Sequence, residues 1–332
     1  MIEKRQSLVF AAPGRVEVQE EPIPVAAAGQ VLVASRLSAV SAGTELLVFQ
    51  GLFPDGLAVD AAIPELAGPF AYPLRYGYSL VGEVRSCGPG VDPAWADRRV
   101  FAFHPHASHF VAAPDTLLPL PDDLGFADSV FLASMETAVS LVMDGRPLVG
   151  ERVLVLGQGV VGLLVTGILA RFPLSGLVSV DPLPARRRRS RALGARHSLA
   201  PGDAALAAAA DFDLAFELSG SPAALETAVE LTGFAGRIVV GSWYGKKEGR
   251  LPLGGVFHRR RQRLFASQVS TVAPEHTGRW TRTRRLELAW ETMRRLRPAD
   301  LISHTLPLAE APEAYRLLVE EPDRVGQVVL VY

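Results

Sequence analysis

Gly157-Gln158-Gly159-Val160-Val161-Gly162 forms a G-x-G-x-x-G between the apolar run RVLVLG and the longer helical run GVVGLLVTGILARF. Alone, the pattern is weak. Its setting makes it specific: a second apolar run, LVSVD, ends in Asp181, 24 residues after Gly157. The glycines therefore open the helix of a βαβ unit whose second strand ends in an acid, the context of a dinucleotide fingerprint. Gly157 permits the tight turn, Gly159 lets backbone N–H groups approach a pyrophosphate, and Gly162 allows close helix–strand packing. The helix N-terminus adds partial positive charge. Asp181 accepts hydrogen bonds from the adenosine ribose and repels a 2′-phosphate, which favours NAD over NADP. The alternative is a glycine turn with a helix-capping Asp. Arg186–Arg189 act the other way, because Arg neutralises a 2′-phosphate. A solvated helix face accounts for most of that run, and Arg186 is the one expected to reach the adenosine.

A second cluster, His104, His106 and His109, reads H-x-H-x-x-H. In a strand, residues two apart share a face, so His104 and His106 are positioned to share a metal; exposed or hydrogen-bonded imidazoles are the plainer reading. His106 is also a candidate general acid or base, since an unperturbed imidazole titrates near neutrality. The basic run HRRRQRLF at 258–265 suggests nucleic acid only superficially, because the formal net charge is −1 and no base-stacking motif accompanies it. A solvated or inter-domain patch is expected there instead.

These residues need a scaffold. With 332 residues, 48% of them hydrophobic and 21% charged, the chain has the makeup of about two globular domains. A single cysteine, Cys87, excludes an internal disulfide and a cysteine-built zinc knot, and fits a reducing cytoplasm. No apolar run has the length of a membrane span, and the N-terminus lacks the core of a signal peptide. Residues 7–120 read as short strands separated by Gly and Pro, and 124–145 as one helix ending at Gly145. From Glu151 onward, strands and helices alternate, which predicts a parallel sheet covered on both faces. Ser221 and Pro222 mark the N-cap and first turn of one of these helices. A basic helix begins after residue 276, and GQVVLVY closes the chain as a strand.

In this order, GQVLVASRLSAVSAGTEL, YPLRYGYSLVGEV, ADRRVFAF, ASMETAVSLV, VLVLGQGVVG, FELSG, GRIVVGS and GQVVLVY resemble the medium-chain dehydrogenase/reductase superfamily over essentially the whole chain. The resemblance implies an α/β architecture: a GroES-like, β-rich catalytic domain (1–122 and 276–332) and a Rossmann doubly wound parallel sheet domain (123–275). It also implies that Thr137, Ser219, Gly220, Gly241 and Ser242 contact the ribose and nicotinamide. Zinc-containing members carry a Cys where this chain has Ala42, before Gly43-Thr44-Glu45, and a His where it has Tyr78. Glu136 falls near the third ligand position. One carboxylate does not hold a catalytic zinc, which takes three protein ligands. Ser-Ala-Gly-Thr-Glu at 41–45, with Arg279-Trp280, is most similar to the subgroup that includes bacteriochlorophyllide dehydrogenases.

A zinc-free member must polarise its substrate by hydrogen bonding. Thr44 matches the family's proton-relaying hydroxyl, against a loop-capping role; Tyr78 offers a phenol, against aromatic packing. Glu45 and Glu136 orient those groups, act as bases, or sit in ion pairs with Arg. The implied function is NAD(H)-dependent interconversion of a secondary alcohol and a ketone on a small-molecule substrate held in the interdomain cleft, by a cytoplasmic homodimer. No zinc, nucleic acid or membrane partner is expected. The alternatives are NADPH-dependent reduction of a conjugated C=C bond and a non-catalytic nucleotide-binding member.

Overall fold

The computed structural model describes residues 4–60, 63 and 66–332. The chain divides into two units, one ending at Ala133 and resuming at Arg297, the other running Ser134–Leu296. In the first, β1 (Lys4–Ala12) and β2 (Arg15–Pro22) form an antiparallel hairpin. Then follow β3 (Val31–Ala39), the short helix α1 (Glu45–Phe49), β4 (Leu80–Cys87), β5 (Arg99–Ala102), β6 (His109–Ala112) and β7 (Leu118–Pro119). Alternation along β3 and β4 sends Val31, Val33, Leu80 and Val84 inward against Val100 and Phe110. The expected helix over 124–145 is instead two: α2 (Phe126–Ser129) and α3 (Leu132–Gly145).

The second unit continues with β8 (Arg152–Leu156), α4 (Val160–Leu169), β9 (Gly176–Val180), α5 (Pro184–Ala192), β10 (His197–Leu199) and α6 (Ala204–Ala208). It then runs through β11 (Phe212–Glu217), α7 (Pro222–Leu231), β12 (Thr232–Val240), β13 (Arg263–Ala266) and α8 (Arg282–Leu296). Its six strands are parallel, in the order β10-β9-β8-β11-β12-β13. That is the doubly wound Rossmann order, with winding reversed between β8 and β11, the place where such sheets bind ligands. The strands carry near-continuous Val, Leu, Ile and Phe because both faces are covered, and Leu154, Val178, Phe212, Ala215 and Ile238 are all buried.

The chain then returns to the first unit through β14 (Ile302–Pro307), α9 (Ala311–Glu320) and β15 (Gln327–Val331). β15 pairs antiparallel with β3 and parallel with β14, completing a seven-stranded mixed sheet. Tyr315 and Leu318 of α9 and Leu330 of β15 pack with Leu8, Phe10 and Val48 in a second core.

The division falls at 133/134 and 296/297, later than the domain limits of 122/123 and 275/276 expected from sequence. One cause is α8, whose buried Leu286, Ala289, Met293 and Leu296 form a helical stripe. Leu296 packs so closely on α4 that a Cβ at Gly167 would lie 2.9 Å from it.

Candidate active site

The glycine loop joins β8 to α4. Gly157 has φ +92°, a conformation that favours glycine, and a Cβ at Gly162 would lie 2.0 Å from the Gly157 carbonyl oxygen. A Cβ at Gly159 would meet nothing within 4 Å, which leaves the loop open to an approaching group. Val160 and Val161 begin α4, a ten-residue helix whose first amides are free of intrahelical partners. Gln158 is fully buried: its amide donates to the Gly157 carbonyl (3.0 Å) and its oxygen accepts from Thr166 (3.0 Å). A buried amide that braces the loop from within gives Gln158 a structural role the motif pattern leaves undefined.

Asp181 follows β9 and is buried. One carboxylate oxygen accepts the Gln158 N–H (2.7 Å) and the other the Leu183 N–H (2.9 Å), with Arg186 3.9 Å away. Each oxygen keeps a second lone pair for a ribose hydroxyl. Arg187, which sequence reading did not separate from its neighbours, closes the turn by donating to the Asp181 and Pro182 carbonyls (2.8 and 2.7 Å).

Beyond the switch point, Glu217 ends β11 fully buried. It accepts from the Ser219 N–H (2.8 Å), the Ser219 hydroxyl and the Tyr244 hydroxyl (2.5 Å). The Gly220 N–H donates to Ser242 Oγ (2.8 Å), and the Gly241 N–H to the Glu217 carbonyl (3.0 Å). Ser219, Gly220, Gly241 and Ser242 thus form one hydrogen-bonded rim at the carboxyl ends of β11 and β12. Glu217 was visible beforehand only as an acid in an apolar strand. Ser221 stands at the N-cap of α7, but its side chain makes no capping bond, and Pro222 alone marks the start.

These residues fit a dinucleotide: a close-packed glycine turn, a free helix N-terminus and an anchored acid. Gly162→Ala is expected to abolish NADH binding in a fluorescence titration, because the backbone oxygen at 2.0 Å has no side-chain freedom with which to move aside. Unchanged affinity would contradict the loop assignment.

In the first unit, Tyr78 stands just ahead of β4 and Ser41 and Thr44 just ahead of α1. The Tyr78 hydroxyl donates to Ser41 Oγ (2.6 Å) and lies 3.1 Å from Thr44 Oγ1. Burial pushes the phenol above its ordinary range, opposed by the Ser41 and Thr44 hydrogen bonds, so Tyr78 stays protonated as a donor. Ala42 packs against the core beside it.

Behind this group lies a polar chain whose Glu45, His106, Ser38 and Tyr315 are fully buried. Glu45 Oε1 accepts the Ser41 N–H (2.8 Å), while Oε2 accepts from Tyr315 (2.5 Å) and His106 Nε2 (3.0 Å). His106 Nδ1 meets Ser38 Oγ at 2.6 Å, and Ser38 meets Tyr332 at 2.7 Å. Because the carboxylate accepts, Nε2 carries a proton and points it at Glu45. The ring fits because Gly77 (φ +116°) precedes Tyr78: a Cβ there would lie 2.7 Å from it.

The histidine cluster does not form. β5 ends at Ala102, so His104 and His106 do not share a strand face. His104 stacks on Phe110 at 4.1 Å and donates to the Pro105 carbonyl, and burial pushes its imidazole down to about 4. His109 meets Ser108 instead. Glu136 belongs to the second unit, where Arg285 holds it at 2.8 Å. Thr137 follows it on α3, partly exposed. Among the described residues, no three His, Cys, Asp or Glu side chains converge on a metal position.

A mixed-sheet GroES-like unit interrupted by a Rossmann unit with this glycine loop is the architecture of the medium-chain dehydrogenases/reductases. Along almost its whole length the chain is similar to alcohol dehydrogenase-like oxidoreductases of that superfamily. It is 24% identical to D-guloside 3-dehydrogenase of Escherichia coli K12, over 95% of this chain and 96% of that protein. It is 26% identical to (R,R)-butanediol dehydrogenase of Bacillus subtilis 168, over 52% of this chain and 60% of the relative. An alcohol dehydrogenase of E. coli CFT073 solved with NADH superposes with a TM-score of 0.80 at 17% identity, covering 99% of both chains. A dehydrogenase of Sinorhizobium meliloti 1021 bound to NADP gives 0.80 at 16% identity, covering 99% of this chain and 100% of the other. No protein-family model matches the chain. Among the described residues, no helix is long and apolar enough to cross a membrane.

Proposed function

We propose that this chain interconverts a secondary alcohol and a ketone by hydride transfer with NAD(H), without zinc, on a small-molecule substrate. The observation that carries the reading is the Tyr78 hydroxyl held by Ser41 and Thr44 at the position where zinc-containing relatives place a ligand histidine. The relatives named for a guloside and a butanediol support an alcohol as substrate. Asp181, buried at the end of β9, supports NAD over NADP, because a 2′-phosphate beside it would meet like charge. Ala42 supports the zinc-free reading, since a methyl group offers no lone pair.

NAD(H), when bound, supplies or accepts the hydride. The glycine loop and α4 hold its pyrophosphate, while Asp181 fixes the adenosine ribose. In the first unit, the Tyr78 proton turns from Ser41 Oγ to the substrate oxygen, with the Ser41 and Thr44 hydroxyls then donating to the phenol oxygen, and so stabilises the negative charge that grows as a carbonyl is reduced. Thr44 and Ser41 hold the phenol in place and give its proton a path of hydroxyls. In the oxidative direction Tyr78 takes the alcohol proton as it passes its own to Thr44 Oγ1, which in turn gives one up to solvent beside the exposed Gly43.

The test is a panel of secondary alcohols and ketones assayed with NAD(H) and NADP(H), with and without a chelator. Turnover is expected with NAD(H) and is expected to be indifferent to the chelator. Chelator-sensitive activity would overturn the zinc-free reading, and NADPH-dependent reduction of conjugated C=C bonds would replace the reaction class.

A further inference from the structure

Glu136 and Arg285 form a buried ion pair that the proposed chemistry does not use. Arg285 is 1% exposed and Glu136 2%. Nε and Nη2 of Arg285 both donate to Glu136 Oε1, at 3.3 and 2.8 Å. Beyond Glu136 the guanidinium reaches one short segment and α3: Nη1 donates to the Thr271 carbonyl (3.0 Å) and to Ser140 Oγ of α3 (3.2 Å), and Nη2 donates to the Val269 carbonyl (2.5 Å). Two residues earlier, the Ser267 hydroxyl donates to Asp144 of α3 (2.6 Å) and its N–H to the Val240 carbonyl (3.0 Å). Residues 267–271 are therefore pinned by α3 and α8 at two points, although they belong to no helix or strand.

Their position gives the pinning a purpose. They leave β13 at its carboxyl end, on the same sheet edge as the glycine loop, Ser219–Gly220 and Gly241–Ser242. A doubly wound sheet is two mononucleotide-binding halves: β8–β10, with the glycine loop and Asp181, take the adenosine half, and β11–β13 take the other. We infer that the Glu136–Arg285 clamp positions residues 267–271 to receive the nicotinamide half of the dinucleotide. Glu136 is then a positioning residue, acting through Arg285 on the Val269 and Thr271 carbonyls. The planar fork suits the task, because it spans a carboxylate and two carbonyls at once, which an ammonium group does not.

This inference rests on the dinucleotide reading, and the experiment separates the two. NADH binding is followed by its fluorescence and ADP-ribose binding, which lacks only the nicotinamide, by calorimetry. Arg285→Lys keeps the charge and loses the fork. A Glu136→Leu/Arg285→Met double variant removes the clamp while replacing a buried pair with apolar groups, a change that proteins commonly tolerate in stability. Both variants are expected to bind NADH about tenfold more weakly and ADP-ribose as tightly as the unaltered chain. Folded variants with an unchanged ratio of the two affinities, or with both ligands weakened alike, would overturn the clamp's role. An unaltered chain that binds neither ligand would overturn the dinucleotide reading itself.

Discussion

Tyr78→Phe is expected to lower turnover by about 10²–10³-fold while leaving NADH affinity unchanged. The substitution removes one oxygen and keeps the ring, whose edge-on contact with Tyr76 at 6.3 Å survives. What is lost is the donor. Burial holds its phenol above the ordinary tyrosine range, against the opposing Ser41 and Thr44 hydrogen bonds, so it is protonated at neutral pH. Any loss of activity from phenol ionisation should therefore set in at a higher pH than for a free tyrosine. Cofactor affinity should not respond, because the glycine loop, Asp181 and the rim of Ser219–Ser242 all belong to the second unit. Steady-state kinetics with the best alcohol of the panel, paired with an NADH titration, reads both quantities. Turnover within a few-fold of the unaltered chain would remove Tyr78 from the mechanism.

Glu45→Ala should have the largest effect on stability, about 3–5 kcal/mol. The carboxylate is fully buried and satisfies the Ser41 N–H, His106 Nε2–H and the Tyr315 hydroxyl together. Its removal leaves the buried His106 and Tyr315 donors and the part-buried Ser41 N–H with no acceptor, and burial has already pushed the Tyr315 phenol well above its usual range, so it does not escape by ionising. The loss also frees the Ser41 backbone, whose hydroxyl receives the Tyr78 proton, and turnover should fall with stability. Chemical denaturation compares the variants. A double-mutant cycle with Tyr315→Phe should show strong non-additivity, because the two share one hydrogen bond. A loss under about 1 kcal/mol would mean that the chain of Tyr332, Ser38, His106, Glu45 and Tyr315 is not a cooperative unit.

The glycine turn between β8 and α4 was readable because its constraints are local. A turn that needs φ near +92° at Gly157 and no Cβ at Gly162 is imposed by residues five positions apart. The alternation of apolar runs and helices around it leaves few ways to build a parallel sheet. Where local spacing misled, a backbone detail was responsible: His104 and His106 have strand spacing, yet β5 stops at Ala102 and Pro105 lies between them. The helix read over 124–145 breaks after Ser129, which no Gly or Pro announces.

Residue types also carry the zinc-free proposal. The resemblance to zinc-containing dehydrogenases sets Ala42 and Tyr78 at their ligand positions, and that comparison needs only the letters of the sequence. What the substitutes do instead depends on partners distant in the chain. Glu45 meets His106 across 61 residues and Tyr315 across 270, and Glu136 meets Arg285 across 149. Hydrogen bonds between buried polar groups have no sequence period: they form wherever the fold happens to bring a donor and an acceptor out of water together. Sequence alone thus determined the glycine turn and the acid that ends the next strand, whose geometry is local. Only the tertiary structure decided that Glu45 and His106 form one buried network, and that Glu136 is committed to Arg285, because burial and long-range approach set those pairings.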